Sequence, residues 1–257
     1  MNDQKYPLLE KLHVLRTEAL CAMRDRAFDS LPLYYRDYSD GIVSGCALVT
    51  EQDTIAVQPG IIRHEGFMYF IGEAMSLPYR PTEEYLLLKL KFGMPEESEN
   101  FIYRSVDMEL SPDMNLKTDE MELCRFKLKA GAVLRTKYVD YFDRITEFDT
   151  VDYVSCPYAA IGHSTLHPDI LYNFAKEALP YKLSGMDESF CLRALERLPI
   201  AYDAVCFYVA RRLQTEAQSW DNLELYRALG QILRDIQGSG ERELRQARRN
   251  RREVFVD

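Results

Sequence analysis

The sequence predicts an α+β protein, an antiparallel β-sandwich or small barrel preceded by an N-terminal helix and followed by a small helical bundle. Three successive regimes of hydrophobic period predict it. Apolar residues recur three or four apart between residues 6 and 28, alternate with polar ones from Gly41 to about Lys129, and return to helical spacing beyond Pro168. These shifts divide the chain into residues 1–40 (amphipathic helix and tyrosine-rich connector), 41–135 (antiparallel β-domain), 136–166 (inter-domain crossing), 167–237 (helical bundle) and 238–257 (arginine-rich C-terminal tail).

Leu8, Leu12, Leu15, Ala19 and Ala22 form the apolar stripe of the first helix, and such a stripe needs a partner surface. The following DSLPLYYRDYSDG, punctuated by Pro32 and Gly41, reads as an extended connector. Its Tyr34, Tyr35 and Tyr38 are candidate interface residues, because tyrosine joins an apolar body to a polar tip.

In the β-domain Leu88, Leu90 and Phe92 alternate with Lys89 and Lys91. Val106, Met108 and Leu110 alternate with Ser105, Asp107 and Glu109, and Cys124, Phe126 and Leu128 with Arg125, Lys127 and Lys129. Each strand is therefore expected to have one dry face and one wet face, as in antiparallel sheets rather than buried parallel ones. About six to eight strands are expected from the pattern. Pro59-Gly60 fits the central positions of a type II turn, and Gly66 suits a tight hairpin between IIRH and FMYFI. Neither glycine belongs to a phosphate-binding loop, since G-x-x-x-x-G-K-[ST] and G-x-G-x-x-G are both absent.

Residues 131–166 are weakly patterned, with strand-like fragments at AVLR and TVDYVSC. Beyond them Pro168 opens a helix through DILYNFAKEAL, Ser184 or Asp187 caps the next, and Pro199 opens a third. The DNLE at Asp221 resembles a capping box for a fourth, which is expected to stop at GSG, residues 238–240.

The formal net charge of −9 disfavours the body of the protein as a nucleic-acid binder. The exception is the tail, where Arg245, Arg248, Arg249, Arg251 and Arg252 are candidate contacts to an anionic partner, weighed against a solvated helix extension. The six cysteines include no C-x-x-C pair, and MNDQKYPLLEKLH lacks a secretory pattern, so reduced thiols and cytoplasmic synthesis are expected. No stretch approaches the roughly 20 apolar residues that span a bilayer, and no membrane partner is expected.

No catalytic residue, metal ligand set or cofactor is predicted. His163, His167 and Cys156 suggest zinc ligands, but Gly162 and Pro168 put the histidines in a loop and helix entry, with no fourth ligand suitably spaced. Ser44 and Cys46 lie in a strand without the G-x-S-x-G elbow, Cys46 reading as an inward strand residue. Glu96, Glu97 and Glu99 fall in a polar loop.

Asp40 to Glu73, DGIVSGCALVTEQDTIAVQPGIIRHEGFMYFIGE, resembles the N-terminal attachment modules of phage tail-fibre, tail-collar and baseplate proteins. The shared pattern is a G-[IV]-[LIV]-S-G strand, a variable hairpin, then V-x-P-G-[IV] and a second glycine before an aromatic strand. Glu122 to Arg135, ELCRFKLKAGAVLR, resembles the strand that closes such modules. The resemblance implies a non-enzymatic structural or adaptor protein of a phage-like tail, baseplate or contractile injection assembly, encoded by a phage, prophage or domesticated tail cluster. Its partners would be other tail or baseplate proteins and further copies of itself, and its destination a virion or tail-like particle. A compact helical segment follows where a fibre would continue into a long shaft, which favours the adaptor role. Two other readings compete: a nucleic-acid-associated or regulatory cytoplasmic protein using the arginine-rich tail, and a hydrolytic or carbohydrate-active β-domain enzyme.

Overall fold

The computed structural model describes residues 7, 10, 11, 14–216 and 218–253, with residues 240–253 as helix backbone. The chain is α+β. Helix α1 (Thr17–Tyr34) precedes β1 (Gly41–Gly45), β2 (Leu48–Thr50), β3 (Thr54–Val57), β4 (Gly60–His64), β5 (Phe67–Ile71) and β6 (Met75–Pro78). Then come β7 (Tyr85–Phe92), β8 (Glu96–Glu97), β9 (Ile102–Tyr103), β10 (Val106–Ser111) and β11 (Glu120–Lys127), followed by α2 (Pro168–Ala178), α3 (Gly185–Leu195), α4 (Tyr202–Leu213) and α5 (Asn222–Glu253).

The strands form three three-stranded sheets, ordered β1-β4-β5, β2-β3-β6 and β10-β7-β11, plus the hairpin β8-β9. All ladders between these strands are antiparallel. The three larger sheets share one apolar core: Ile42, Ile62 and Ile71 come from the first, Ile55 and Val57 from the second, and Leu88, Leu90, Phe126 and neighbouring Leu128 from the third. The alternating pattern thus selected the right core residues, although it undercounted the strands by splitting one domain into fewer, longer elements.

Gly66 and Gly60 take different conformations. Glu65 and Gly66 have φ of 48° and 80° between the paired His64 and Phe67, which is the left-handed two-residue hairpin expected there. Gly60 does not sit in a type II turn: it is absent from the positive-φ glycines and instead begins β4, paired with both Gly45 and Ile71. The segment between β3 and β4 carries the chain from one sheet to another instead of closing a hairpin.

The expected wet face of β7 is largely dry. Lys89 is 4% exposed and Leu87 is fully buried, because β7 is the central strand between β10 and β11 and its second face is covered too. Lys91 keeps partial exposure and pairs with Glu109 on the neighbouring strand.

The helices bury a second core. Phe190 stacks on Tyr208 with ring centroids 3.9 Å apart, and Phe174 meets both edge-on at 5.8 and 6.1 Å. Tyr141, in the long crossing, stacks on Tyr226 of α5 at 4.7 Å. The two tyrosines exchange hydrogen bonds, Tyr141 Oη donating to the Tyr226 carbonyl at 2.8 Å and Tyr226 Oη to the Tyr141 carbonyl at 2.5 Å. The AVLR and TVDYVSC fragments form isolated bridges, Arg135 with Thr150 and Arg125 with Asp152, rather than strands.

Local signals placed most helix starts. Ser184 caps α3 in a reciprocal box with Asp187, and Asp221 does the same for α5 with Glu224 at 2.7 and 2.9 Å. Helix α4 begins at Tyr202, three residues beyond Pro199, with the Tyr202 hydroxyl bound at 2.9 Å to Trp220. At the other end, α5 runs through Gly238-Ser239-Gly240 to Glu253 instead of stopping there. Two glycines cost roughly 1 kcal/mol each in a helix interior. The helix formers on either side offset that cost, and Ser239 Oγ is accommodated on the Asp235 carbonyl at 2.8 Å.

Candidate interaction site

Helix α1 is the element least accounted for by the fold. It begins at Thr17 and continues through Asp29–Tyr34, where an extended connector was expected; Val14, Leu15 and Arg16 precede it as coil, and Leu8 and Leu12 lie outside the described residues. Ala19, Ala22 and Ala27 favour the helix, and the Tyr35 N–H closes its last turn on the Leu31 carbonyl at 3.1 Å.

None of its 18 residues is buried. Phe28 is 74% exposed, Leu33 66% and Tyr34 78%, with Leu20 and Met23 also exposed. Arg16 at its N-cap makes no side-chain capping bond, and its last turn holds no basic residue. A helix of this length in water owes most of its stability to an apolar face packed on something. Within this chain α1 touches β5, where Phe70 is itself 65% exposed.

The three tyrosines of the connector come together. Tyr34 and Tyr35 meet edge-to-face at 5.4 Å, and Tyr35 and Tyr38 at 4.9 Å. Their base is firmly tied: Tyr38 bridges Ile161, the Ser39 N–H donates to the Ala160 carbonyl at 2.8 Å, and Asp40 accepts from Arg63 at 2.6 Å and from the Glu65 N–H at 2.9 Å. Aromatic residues displayed on a fixed base lose little conformational entropy on binding. Exposed Ile161, bridged to Tyr38, adjoins this cluster, and exposed Phe28 and Phe70 lie on α1 and on the β5 strand it touches; no sequence signal marked them, since an apolar residue in a strand or helix pattern reads first as core.

Arg245, Arg248, Arg249, Arg251 and Arg252 sit on the backbone of α5, and their side chains lie outside the described residues.

The residues considered for chemistry are spread among separate tasks. His167 Nδ1 caps α2 by accepting from the Asp169 N–H at 3.1 Å, and burial pushes its pKa down to about 4. His163 is exposed against Tyr202, while Cys156 is buried, its thiol pushed up by desolvation. Among the described residues no three His, Cys, Asp or Glu side chains converge as a metal site. Cys46 is buried, but it follows β1 with φ of 56° instead of lying within the strand, and burial raises its thiol to about 11. Glu96 and Glu97 are exposed on β8. All six cysteines are free thiols, five of them buried, and among the described residues no helix is long and apolar enough to cross a membrane.

No known family and no curated protein matches the chain. Among solved structures it is similar to one described as the crystal structure of TssK, with 8% identity over 93% of this chain and 72% of that one and a TM-score of 0.41. It is also similar to a chain of the TssK-TssF-TssG baseplate subcomplex of a type VI secretion system, solved by cryo-electron microscopy, with 7% identity, 91% and 100% coverage and a TM-score of 0.46.

Proposed function

We propose that this chain is a non-enzymatic structural or adaptor subunit of a phage-like tail, baseplate or contractile injection assembly, working as a homo-oligomer or as a repeated subunit among other baseplate proteins. The observation that carries the reading is α1, an 18-residue helix with no buried residue that leads into the Tyr34, Tyr35 and Tyr38 cluster. A soluble monomer rarely exposes so many large apolar side chains on one element unless they meet a partner. The resemblance of residues 40–73 to tail attachment modules supplies the context. In this reading residues 1–40 are the docking segment, residues 41–135 the attachment module, and residues 167–237 a compact helical support.

Mass measurement in solution, followed by co-purification from the native host, tests it. The expected result is a defined oligomer or recovery with tail or baseplate proteins. A strictly monomeric protein that recovers none of them would overturn the proposal.

A further inference from the structure

Arg144 heads the large side chains that are fully buried, at 1% exposure, and among the described residues its Nη1 has no hydrogen-bond partner. Its charge is permanent. An ionised group removed from water is strongly unfavourable unless it is paired and hydrogen-bonded. Here the guanidinium faces aromatic rings, 4.6 Å from the Tyr138 centroid and 5.8 Å from that of Tyr153, while Nε donates to Tyr153 Oη at 3.3 Å. Two carboxylates that feel its charge are engaged elsewhere: Asp143 is held by Arg135 through two contacts of 2.6 Å, and Glu177 accepts from the Tyr141 N–H at 2.5 Å. Cation–π contact offsets part of the cost of burial, but one end of the guanidinium fork has no acceptor among the described residues.

Arg144 lines a cavity of about 740 Å³ between the β-domain and the start of α2. That volume falls in the range of roughly 300–1,000 Å³ usual for small-molecule sites. Exposed Lys137 and Arg197 also line it, against one acid, Asp169, whose separation from Arg197 is 3.9 Å. Three cations to one carboxylate is a local reversal in a chain whose formal net charge is −9. His167 adds a neutral donor, because its Nδ1 is taken by the Asp169 N–H and the ring proton therefore sits on Nε2.

We propose that this cavity binds an organic carboxylate with an apolar or aromatic body, Arg144 holding the carboxylate, Tyr138 and Tyr153 flanking it, and Lys137 and Arg197 drawing it in. A guanidinium fork matches the two oxygens of a carboxylate. Apolar Ile42 and Leu123 on the same wall suit a carbon skeleton better than inorganic phosphate. The carboxylate has two sources, a free small acid or the C-terminal end of a peptide.

Titration of the full chain, followed by backbone amide NMR shifts and thermal midpoint, separates the outcomes. The probes are phenylacetate, phenylacetamide, inorganic phosphate, and a tetrapeptide ending in phenylalanine with a free or an amidated C-terminus. Saturable binding of phenylacetate or the free-acid peptide is expected, with at least tenfold weaker binding of the corresponding amide and of phosphate. The tighter of the two acids identifies the source. Arg197→Ala and Lys137→Ala, both at exposed positions, are expected to fold normally and weaken binding several-fold, and Arg144→Gln to abolish it. Failure of every carboxylate to bind saturably, equal binding of amide or phosphate, or affinity unchanged in the Arg197→Ala and Lys137→Ala variants would overturn the proposal without relying on the fold of the Arg144 variant.

Discussion

Gly45 and Gly60 stand opposite one another across the β1–β4 ladder, each too close to the other strand's backbone to carry a side chain. A Cβ on Gly60 would lie 2.4 Å from both the Cys46 nitrogen and its Sγ, and one on Gly45 would lie 2.3 Å from the Pro59 carbonyl oxygen. The glycine motif that looked like turn chemistry is therefore mainly a close approach of two backbones. Gly60→Ala should cost about 2–3 kcal/mol, typical of overpacking. Gly66→Ala, at φ of 80° with no atom within 4 Å of its Cβ, should cost only about 1 kcal/mol. Gly72→Ala, equally open and without positive φ, should be close to neutral. Urea denaturation of the three variants checks the ranking, and a Gly60→Ala protein no less stable than Gly72→Ala would contradict it.

Lys89 and Glu120 form an ion pair 2.9 Å long with side chains 5% and 0% exposed. Removing one partner leaves the other charge buried, so Lys89→Met should cost about 3 kcal/mol, while Lys89→Met with Glu120→Leu should recover much of the loss. Burial raises the Glu120 pKa, but hydrogen bonds from Lys89 and the Lys117 N–H outweigh it and hold the group below its ordinary 4.5. A folded-state pKa below the unfolded one stabilises above the unfolded value and is lost as pH falls through the folded one. Denaturation midpoints measured downward from pH 5 should show an acid-labile component in the wild type that Glu120→Gln lacks.

Asp152 has the opposite sign. Burial raises its pKa to about 6, against lowering by the Val154 N–H, which its Oδ1 accepts at 2.9 Å. Between its ordinary 3.8 and about 6 the folded form holds a proton that the unfolded form has released, so this group makes stability fall as pH rises through that window. Asp152→Asn keeps the acceptor and removes the titration. It should be more stable than wild type above pH 6, by about 2 kcal/mol, with the difference closing near pH 4. A pH-independent difference would refute this account.

Substitutions on α1 should separate association from folding. Phe28→Ser with Leu33→Ser changes residues that are 74% and 66% exposed, so the unfolding free energy of the isolated subunit should move by no more than about 0.5 kcal/mol. Under the assembly proposal the same pair should lower the oligomer mass measured by light scattering. A large loss of subunit stability with unchanged mass would show that α1 serves the fold of its own chain.

Much of the fold is legible residue by residue because its causes are local. The capping residues Ser184 and Asp221, the proline that opens α2 and the Glu65-Gly66 hairpin act within a few positions of themselves, and alternation alone put Leu88, Leu90, Phe126 and Leu128 into one core. The tyrosine cluster was readable as residue types, though Ile161 beside it was not. What tertiary structure decided depends on what lies across from a residue. Lys89 looks solvent-facing until Glu120 and the strands flanking β7 enclose it. Gly60 looks like a turn until Gly45 meets it, and GSG looks like a helix stop although α5 continues through it. Arg144, an ordinary charged residue in DYFDRIT, becomes a buried cation because Tyr138 and Tyr153 close on it from either side in sequence, a convergence that only the folded backbone produces. Local hydrogen bonding and hydrophobic period are written into neighbouring residues, whereas burial and partner choice for a charge are set by long-range packing.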